Sequence, residues 1–451
     1  MTPTSSLLRT DGLVQPGVRA GASLALSPTH AAVRAEGLDE LDALLRTGAL
    51  HTVFQPIVDL DTRRTVAFEA LTRGPEGSAL QRPDALFAAA RRAGRLAELD
   101  RACQVAALAA AEAGGLGAPW TLFLNTEPEA AGQRRPPALP GASPHAVVVE
   151  LTERALTARP AELLRMVDLL RARGWGIALD DVGADPASLA LLPLVRPDVV
   201  KLDLRLVQAQ PDAQIAAIAN AVSAQAERDG TLVLAEGVET EEQCATAVAL
   251  GASLGQGWLF GRPGPLPAAV RTGSPGRGLP LGARRPLDTV DSPFELAARR
   301  RRVRVARKPL LVQMSKQLEQ QASGSGDACV VVSTFQHVSQ LTPDTRARYA
   351  RIAQRAAFVA AIGSDVPPAP VPGVRGVRGV HVDSGDPLTL EWDVTVLGPH
   401  FAGALLARDL GDDGPEAERR FEFVLTHDRN LAVAATSALL GRIAPLPPQR
   451  P

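Results

Sequence analysis

The chain has 451 residues, 45% hydrophobic and 22% charged, with a formal net charge of -1. That length fits two or three domains, and so even a charge balance supplies no global field toward nucleic acid or an anionic membrane. No stretch approaches the ~20 apolar residues of a membrane helix.

Three cysteines, Cys103, Cys244 and Cys329, stand far apart without metal-ligand spacing and read as reduced thiols. The N-terminus carries Arg9 and Asp11 among Ser, Thr and Pro, with no apolar signal core. The expectation is a cytoplasmic protein with no membrane contact.

Four regions follow in chain order: a flexible tail over 1–38, a first domain over 39–268, a Pro/Gly/Arg-rich linker over 269–308, and a second domain over 309–451. In the first domain, TVFQPIV, TVAFEAL, WTLFLNT, AVVVELT, WGIALDD, VVKLD, TLVLAEG and SLGQGW are eight strand candidates. Helical stretches fall between them at about 84–113, 160–173, 212–228 and 240–250. Thr240 ahead of Glu241 and Glu242 reads as an N-cap with acid in the first turn. This alternation is the pattern of a parallel α/β barrel.

Six of these runs close on polar side chains: Glu69, Asn125, Glu150, the pair Asp180 and Asp181, Lys201, and Glu236. Strand C-termini are where α/β folds place chemistry. Five carboxylates, one amide and one ammonium at such ends describe a site for divalent metals and a phosphate ester. Each position alone has an ordinary reading, as a solvated turn, a surface lysine or a strand-end cap. Their joint placement on one face does not.

The strings FQPIVDL, EALTR, FLNTEP, ELTE, DDVG, KLD, AEGVETEEQ and GQGWLFGRP, in this order over about residues 51–264, resemble the EAL-domain phosphodiesterases. The resemblance implies a TIM-like (β/α)8 barrel and the opening of cyclic di-GMP to linear pGpG with two divalent cations, Mg2+ or Mn2+. It implies metal ligation by Glu69, Asn125, Glu150, Asp180, Asp181 and Glu236, with Asp180 bridging. Lys201 would act on the attacking water, Glu239 would position Lys201 or its loop, and Gln256 would lie within reach of the water. Arg73 would clamp phosphate, Gln55 would contact substrate, and Glu153 would anchor a loop after its strand. A homodimer is the family's lean. A non-catalytic cyclic di-GMP receptor is the alternative, and completeness of the metal set speaks against it.

One departure stands out. After Asp181 the family usually continues Phe-Gly-Thr-Gly-Tyr-Ser-Ser-Leu, whereas this chain reads from Val182 through Gly183, Ala184, Asp185, Pro186, Ala187 and Ser188 to Leu189. That loop commonly couples dimerisation to metal occupancy, so dimer-linked control is in question.

Seven arginines and lysines between Arg299 and Lys308 read as a solvated helix or linker, with an acidic-partner or nucleic-acid patch as the alternative. Beyond them, STFQHVSQLTPDTRARYARIAQRAAFVAAIG, DPLTLEWDVTVLGPHFAGALLARDL and RRFEFVLTHDRNL resemble the DICT sensory domain. Its fold is expected to be a smaller α/β or α+β domain, and its ligand or protein partner is not implied. The seven histidines show no metal spacing in the first domain. His337, His400 and His427 are left open as sensor-pocket residues. The Pro- and Gly-rich linker excludes one rigid helix between the domains, so regulation is expected to pass through domain docking or dimer geometry, with the loop after Asp181 as receiver.

Overall fold

A computed structural model describes residues 39–127, 146–152, 154–268, 270, 278–281, 290–371 and 373–445. The expected tail over 1–38 lies outside the described residues, and so does Glu153.

Eight strands close into a barrel in chain order: β1 (His51–Asp59), β2 (Thr65–Arg73), β3 (Thr121–Asn125), β4 (Ala146–Leu151), β5 (Gly176–Val182), β6 (Val199–Leu202), β7 (Leu232–Ala235) and β8 (Leu254–Gln256). β2 to β8 pair in parallel. The expected (β/α)8 barrel is present, with one departure from parallel pairing: β1 runs antiparallel to both β2 and β8. The reason is local. Only residues 60–64 join β1 to β2, and a parallel crossover needs about a dozen. Asp59 closes the turn by accepting from the backbone N–H of Thr62 at 2.8 Å.

Side chains alternate across a strand, so positions two apart face the barrel axis together. Ile57, Ala67, Phe123, Val148, Ala178, Val199, Leu234 and Leu254, one from each strand, pack as a single apolar layer. Leu279 and Leu281, from the Pro/Gly/Arg-rich stretch, pack against that layer, with Leu281 beside Gly176, the first residue of β5. Two positions further toward the opposite end come Gln55, Glu69, Asn125, Glu150, Asp180, Lys201, Glu236 and Gln256. The same period thus sets an apolar floor beneath a polar layer.

Outside the barrel, the single helical stretch expected at 84–113 is two helices, Pro83–Ala93 and Leu96–Ala113. Gly94, at φ 67°, turns the chain between them in a conformation costly for other residues. Helices Pro160–Ala172, Ala213–Asp229 and Glu241–Ala249 stand where the sequence puts them. Thr240 starts the last of these with a reciprocal capping box to Gln243.

The C-terminal sheet holds β9 (Arg304–Arg307), β10 (Val330–Thr334), β11 (Phe358–Gly363), β12 (Ala369–Pro370), β13 (Arg378–His381), β14 (Glu391–Leu397), β15 (Ala402–Asp409) and β16 (Arg420–Thr426). Their order is β12-β13-β11-β10-β14-β15-β16-β9. The arginine run is therefore partly an edge strand, where charge discourages pairing with other chains. It is not a helix.

Alternation gives this sheet two buried faces. Cys329, Val331, Val394 and Leu405 face helices Lys308–Ser325 and Pro343–Ala353. Val330, Val332, Leu406 and Val424 face the other way, toward helices Pro293–Ala298 and Arg429–Leu440. Helix Arg429–Leu440 in turn packs on barrel helices Pro160–Ala172 and Leu192–Val195, and Leu431, Leu439, Val167 and Leu194 belong to one apolar cluster. Arg228 donates to the carbonyl of Pro399 at 2.9 Å, and Arg429 donates to those of Gly398 and Pro399 at 2.8 and 2.6 Å. The turn at Gly326–Ala328 packs on the short helix Pro186–Leu191, five residues beyond Asp181.

Phe123, fully buried, is the largest member of the apolar floor. Phe123→Ala is expected to destabilise the protein by about 3–5 kcal/mol through lost burial and a residual cavity. A urea titration followed by circular dichroism measures it.

Candidate active site at the barrel mouth

Lys201 is the centre of the polar layer. Its side chain is 1% exposed, and Nζ lies 2.8 Å from Glu150 Oε1, 2.9 Å from Asp180 Oδ1, 2.9 Å from Glu236 Oε1 and 3.9 Å from Glu69 Oε1. Burial opposes its charge, yet the four carboxylates outweigh burial and hold the ammonium protonated well above its ordinary range. Glu69 is held from both sides. Asn125 Nδ2 donates to Oε1 at 2.9 Å, and Gln256 Nε2 donates to Oε2 at 2.7 Å. Gln256 also reaches Gln55 Oε1 at 3.4 Å, and Gln55 Nε2 donates to the carbonyl of Gly261 at 3.2 Å.

Consecutive strand residues face opposite sides, so Asp180 and Asp181 would ordinarily point apart. Two features bring them together. The β5–β6 register shifts between Leu179 and Val182, and Asp181 adopts φ 52°, a left-handed conformation that aspartate tolerates better than most residues. Asp180, Asp181 and Glu236 consequently offer carboxylate oxygens within 4.8 Å of one another. At β8, Gly257 passes so close to Val238 that a side chain would meet its backbone oxygen at 2.1 Å. This contact ties the end of β8 to the loop carrying Glu236.

The donor set fits divalent cations. Four carboxylates surround one ammonium, so the layer carries an excess of buried negative charge. Oε2 of Glu150 is buried without a hydrogen-bond partner. Burial, then the neighbouring Glu69, push the Glu150 carboxyl well above the usual range, and burial pushes that of Glu236 up to about 8. Oxygen-rich clusters that resist their own charge suit hard cations. Glu69, Asn125, Glu150, Asp180, Asp181 and Glu236 are the residues that can hold them.

Beside this cluster lies a cavity of about 320 Å3. Glu69, Asn125 and Asp181 form one wall and Arg73 another. Arg73 Nη1 donates to the carbonyl of Thr72 at 2.8 Å, and burial lowers its basicity. Glu239 is not brought to Lys201. It is exposed, and its backbone N–H donates to Gln243 Oε1 at 2.7 Å.

The sequence reading missed the rest of the cavity wall. Asp100, 4% exposed, accepts from the backbone N–H of Glu127 at 2.9 Å and from Thr126 Oγ1 at 3.1 Å. Arg91 pairs with Glu127 at 2.7 Å. Asp100 had a signal: it sits on the same helical stripe as buried Leu96 and Cys103, where an acid is out of place unless it has a task.

Comparison with known proteins matches two stretches of the chain to known families. Residues 38–263 match the EAL domain, and residues 291–410 match the sensory domain in diguanylate cyclases and two-component systems, DICT. The cyclic di-GMP phosphodiesterase RocR of Pseudomonas aeruginosa is 36% identical over 160 residues, covering 33% of this chain and 40% of RocR. The blue light- and temperature-regulated antirepressor BluF of Escherichia coli is 32% identical over 244 residues, covering 51% of this chain and 58% of BluF. The Klebsiella pneumoniae BlrP1 complex with manganese and cyclic di-GMP superposes with TM-score 0.42 at 30% identity, covering 48% of this chain and 56% of BlrP1. The chain thus spans less than three fifths of these relatives. With half its length matched and the polar layer complete, it belongs to the EAL-domain family and carries a DICT sensory domain behind the barrel.

Proposed function

We propose that the barrel hydrolyses cyclic di-GMP to linear pGpG with two divalent cations, magnesium or manganese, and that the sensory domain modulates the rate. The observation that carries this reading is the polar layer, one residue on or just past each strand, with Lys201 within 2.9 Å of three carboxylates. Similarity to RocR supports the substrate.

Glu69, Asn125, Glu150 and Asp180 would hold one cation, and Asp180, Asp181 and Glu236 the other. Cations there supply acidity to water and positive charge facing the phosphate. The amide of Asn125 gives an oxygen without a further negative charge. With Glu150, Asp180 and Glu236 turned to the cations, Lys201 would direct an N–H to the attacking water, and Glu236 beside it is within reach of the released proton. Gln256 holds Glu69 in place from the last strand, and Gln55 holds Gln256. Arg73 pairs with non-bridging phosphate oxygens, for which a guanidinium fork is suited. Water oxygen bonds to phosphorus, the P–O3′ bond breaks, O3′ takes up the proton released from water to become the free 3′-hydroxyl, and the phosphate remains on the 5′-oxygen of pGpG. Glu239, exposed at the rim, serves the loop after β7 rather than the ammonium itself.

Modulation rests on the packing of Gly326–Ala328 against Pro186–Leu191. This contact joins the sensory domain to the segment that leaves the Asp180–Asp181 pair, where the sequence departs from the family.

Three outcomes test the reading. Product chromatography with cyclic di-GMP and magnesium or manganese should show pGpG. Lys201→Met should lower kcat by about 10²–10⁴-fold with Kd nearly unchanged, while Arg73→Ala should weaken binding by about 10–100-fold, the worth of a charge-assisted phosphate contact. Reversal of that split in calorimetry and kinetics would show the two roles wrongly assigned.

The second outcome concerns pH. Glu236 titrates near 4.5 when unfolded and near 8 in the folded, metal-free cluster. The extra proton therefore favours the fold below that window, and the stabilisation is lost as pH rises through about 8. In chelator, Tm should fall between about pH 5 and 8.5, and magnesium should raise it most at the upper end. A flat profile indifferent to magnesium would count against the metal set.

Thirdly, Ala328→Glu, at the turn on Pro186–Leu191, should change kcat several-fold while Kd for cyclic di-GMP holds. Steady-state kinetics with unchanged kcat would argue against control through this contact.

A further inference from the structure

The sensory domain contains a cavity of about 220 Å3 on the sheet face turned away from the barrel. One stripe of helix Lys308–Ser325 forms its first wall: Lys308, Val312, Ser315, Lys316 and Glu319 recur at helical spacing. Helix Pro343–Ala353 supplies Arg348 and Tyr349, and the sheet supplies Trp392 and Phe421. None of His337, His400 and His427, left open by the sequence, lines it.

Four aromatic rings line it among a larger number of polar side chains, and the buried polar ones are fixed. Phe335 and Tyr349 meet edge to face at 5.5 Å, and Trp392 and Phe421 at 5.6 Å. Tyr349, 1% exposed, donates its hydroxyl to Ser333 Oγ at 2.6 Å. Glu319, 3% exposed, is bound by Arg348. These two buried polar groups have partners, so the four rings are left to offer apolar, planar surface. Charge sits at the helix stripe. Lys308 is engaged by Gln340 and Glu416, whereas Lys316 has no hydrogen-bond or ion-pair partner among the described residues. Glu416 matches Lys308 and Glu319 matches Arg348, which leaves Lys316 as the cation of the lining that no partner holds among the described residues.

We infer that this cavity binds a small aromatic carboxylate, its ring between the two aromatic pairs and its anionic group on Lys316. The volume sets the size: about 150 Å3 holds the six non-hydrogen atoms of benzene, so about nine fit here. The helix that carries Lys316 runs on into Gly326–Ala328, the turn on the barrel segment after Asp181. Occupancy of the cavity and the barrel therefore share one rigid element.

The test is calorimetry on the full chain with benzoate and anthranilate, beside the neutral benzamide. At least one acid should bind with a sub-millimolar Kd, and its matched amide about 10-fold more weakly or not at all. Lys316→Ala should weaken the acid about 10-fold, and Val312→Phe, which fills the cavity, should abolish binding, with circular dichroism confirming the fold. If Val312→Phe does not fold, Lys316→Ala decides alone, since it removes no buried contact. Absence of binding by every acid, equal binding of acid and amide, or binding indifferent to these substitutions overturns the proposal. The readout needs no hydrolysis, so its failure is distinct from failure of the activity proposed for the barrel.

Discussion

A buried ammonium among carboxylates is the interaction on which this barrel turns. Lys201 lies within 4 Å of Glu69, Glu150, Asp180 and Glu236, residues from four other strand ends. Removing either sign would leave uncompensated charge in a nearly dry interior, a costly state. The layer is tolerable because barrel closure supplies an apolar floor below it and amides beside it. Asn125 and Gln256 satisfy Glu69 without adding charge. Excess negative charge remains, and that residue of unbalanced charge is the chemical property of the site.

Geometry at β5 supplies what strand alternation alone cannot. A register shift and a left-handed aspartate set two consecutive carboxylates on one side. Such strain is sustained only where surrounding packing enforces it. Here Gly183, Ser188 and Asp185 hold the departing loop: Ser188 Oγ accepts from the Gly183 N–H at 3.2 Å, and donates to the Asp185 carbonyl at 2.7 Å. The next residues meet the sensory domain. The segment that shapes one end of the site is therefore also the segment that feels the neighbouring domain.

The sensory sheet is used on both faces. One is covered by helices Pro293–Ala298 and Arg429–Leu440, the second of which docks on the barrel and continues its apolar cluster across the boundary. The other, under helices Lys308–Ser325 and Pro343–Ala353, keeps an aromatic-lined cavity. The final strand and helix, Arg420–Thr426 and Arg429–Leu440, lie beyond the residues matched to DICT yet complete this sheet and its docking face. Docking uses side chains of ordinary type: Arg228 and Arg429 bind the backbone of Gly398 and Pro399.

Much of the site was legible because strand periodicity is a local property. Apolar runs ending in Glu69, Asn125, Glu150, Asp180, Lys201 and Glu236 announce buried strands with polar ends, and the eight strands stand close to where the runs place them. The reversed β1 was also written in the sequence, as five residues too few for a crossover, but the alternating pattern overrode it. What no local pattern could settle was the company each side chain keeps. The convergence of four carboxylates on Lys201, the exposure of Glu239, the entry of Asp100 into the cavity wall and the edge strand in the arginine run depend on closure and on long-range pairing. Sequence determined which residues face the barrel axis, because alternation is fixed by the backbone of each strand. Tertiary structure decided which of them meet, because distance across a closed barrel and between docked domains depends on every strand at once.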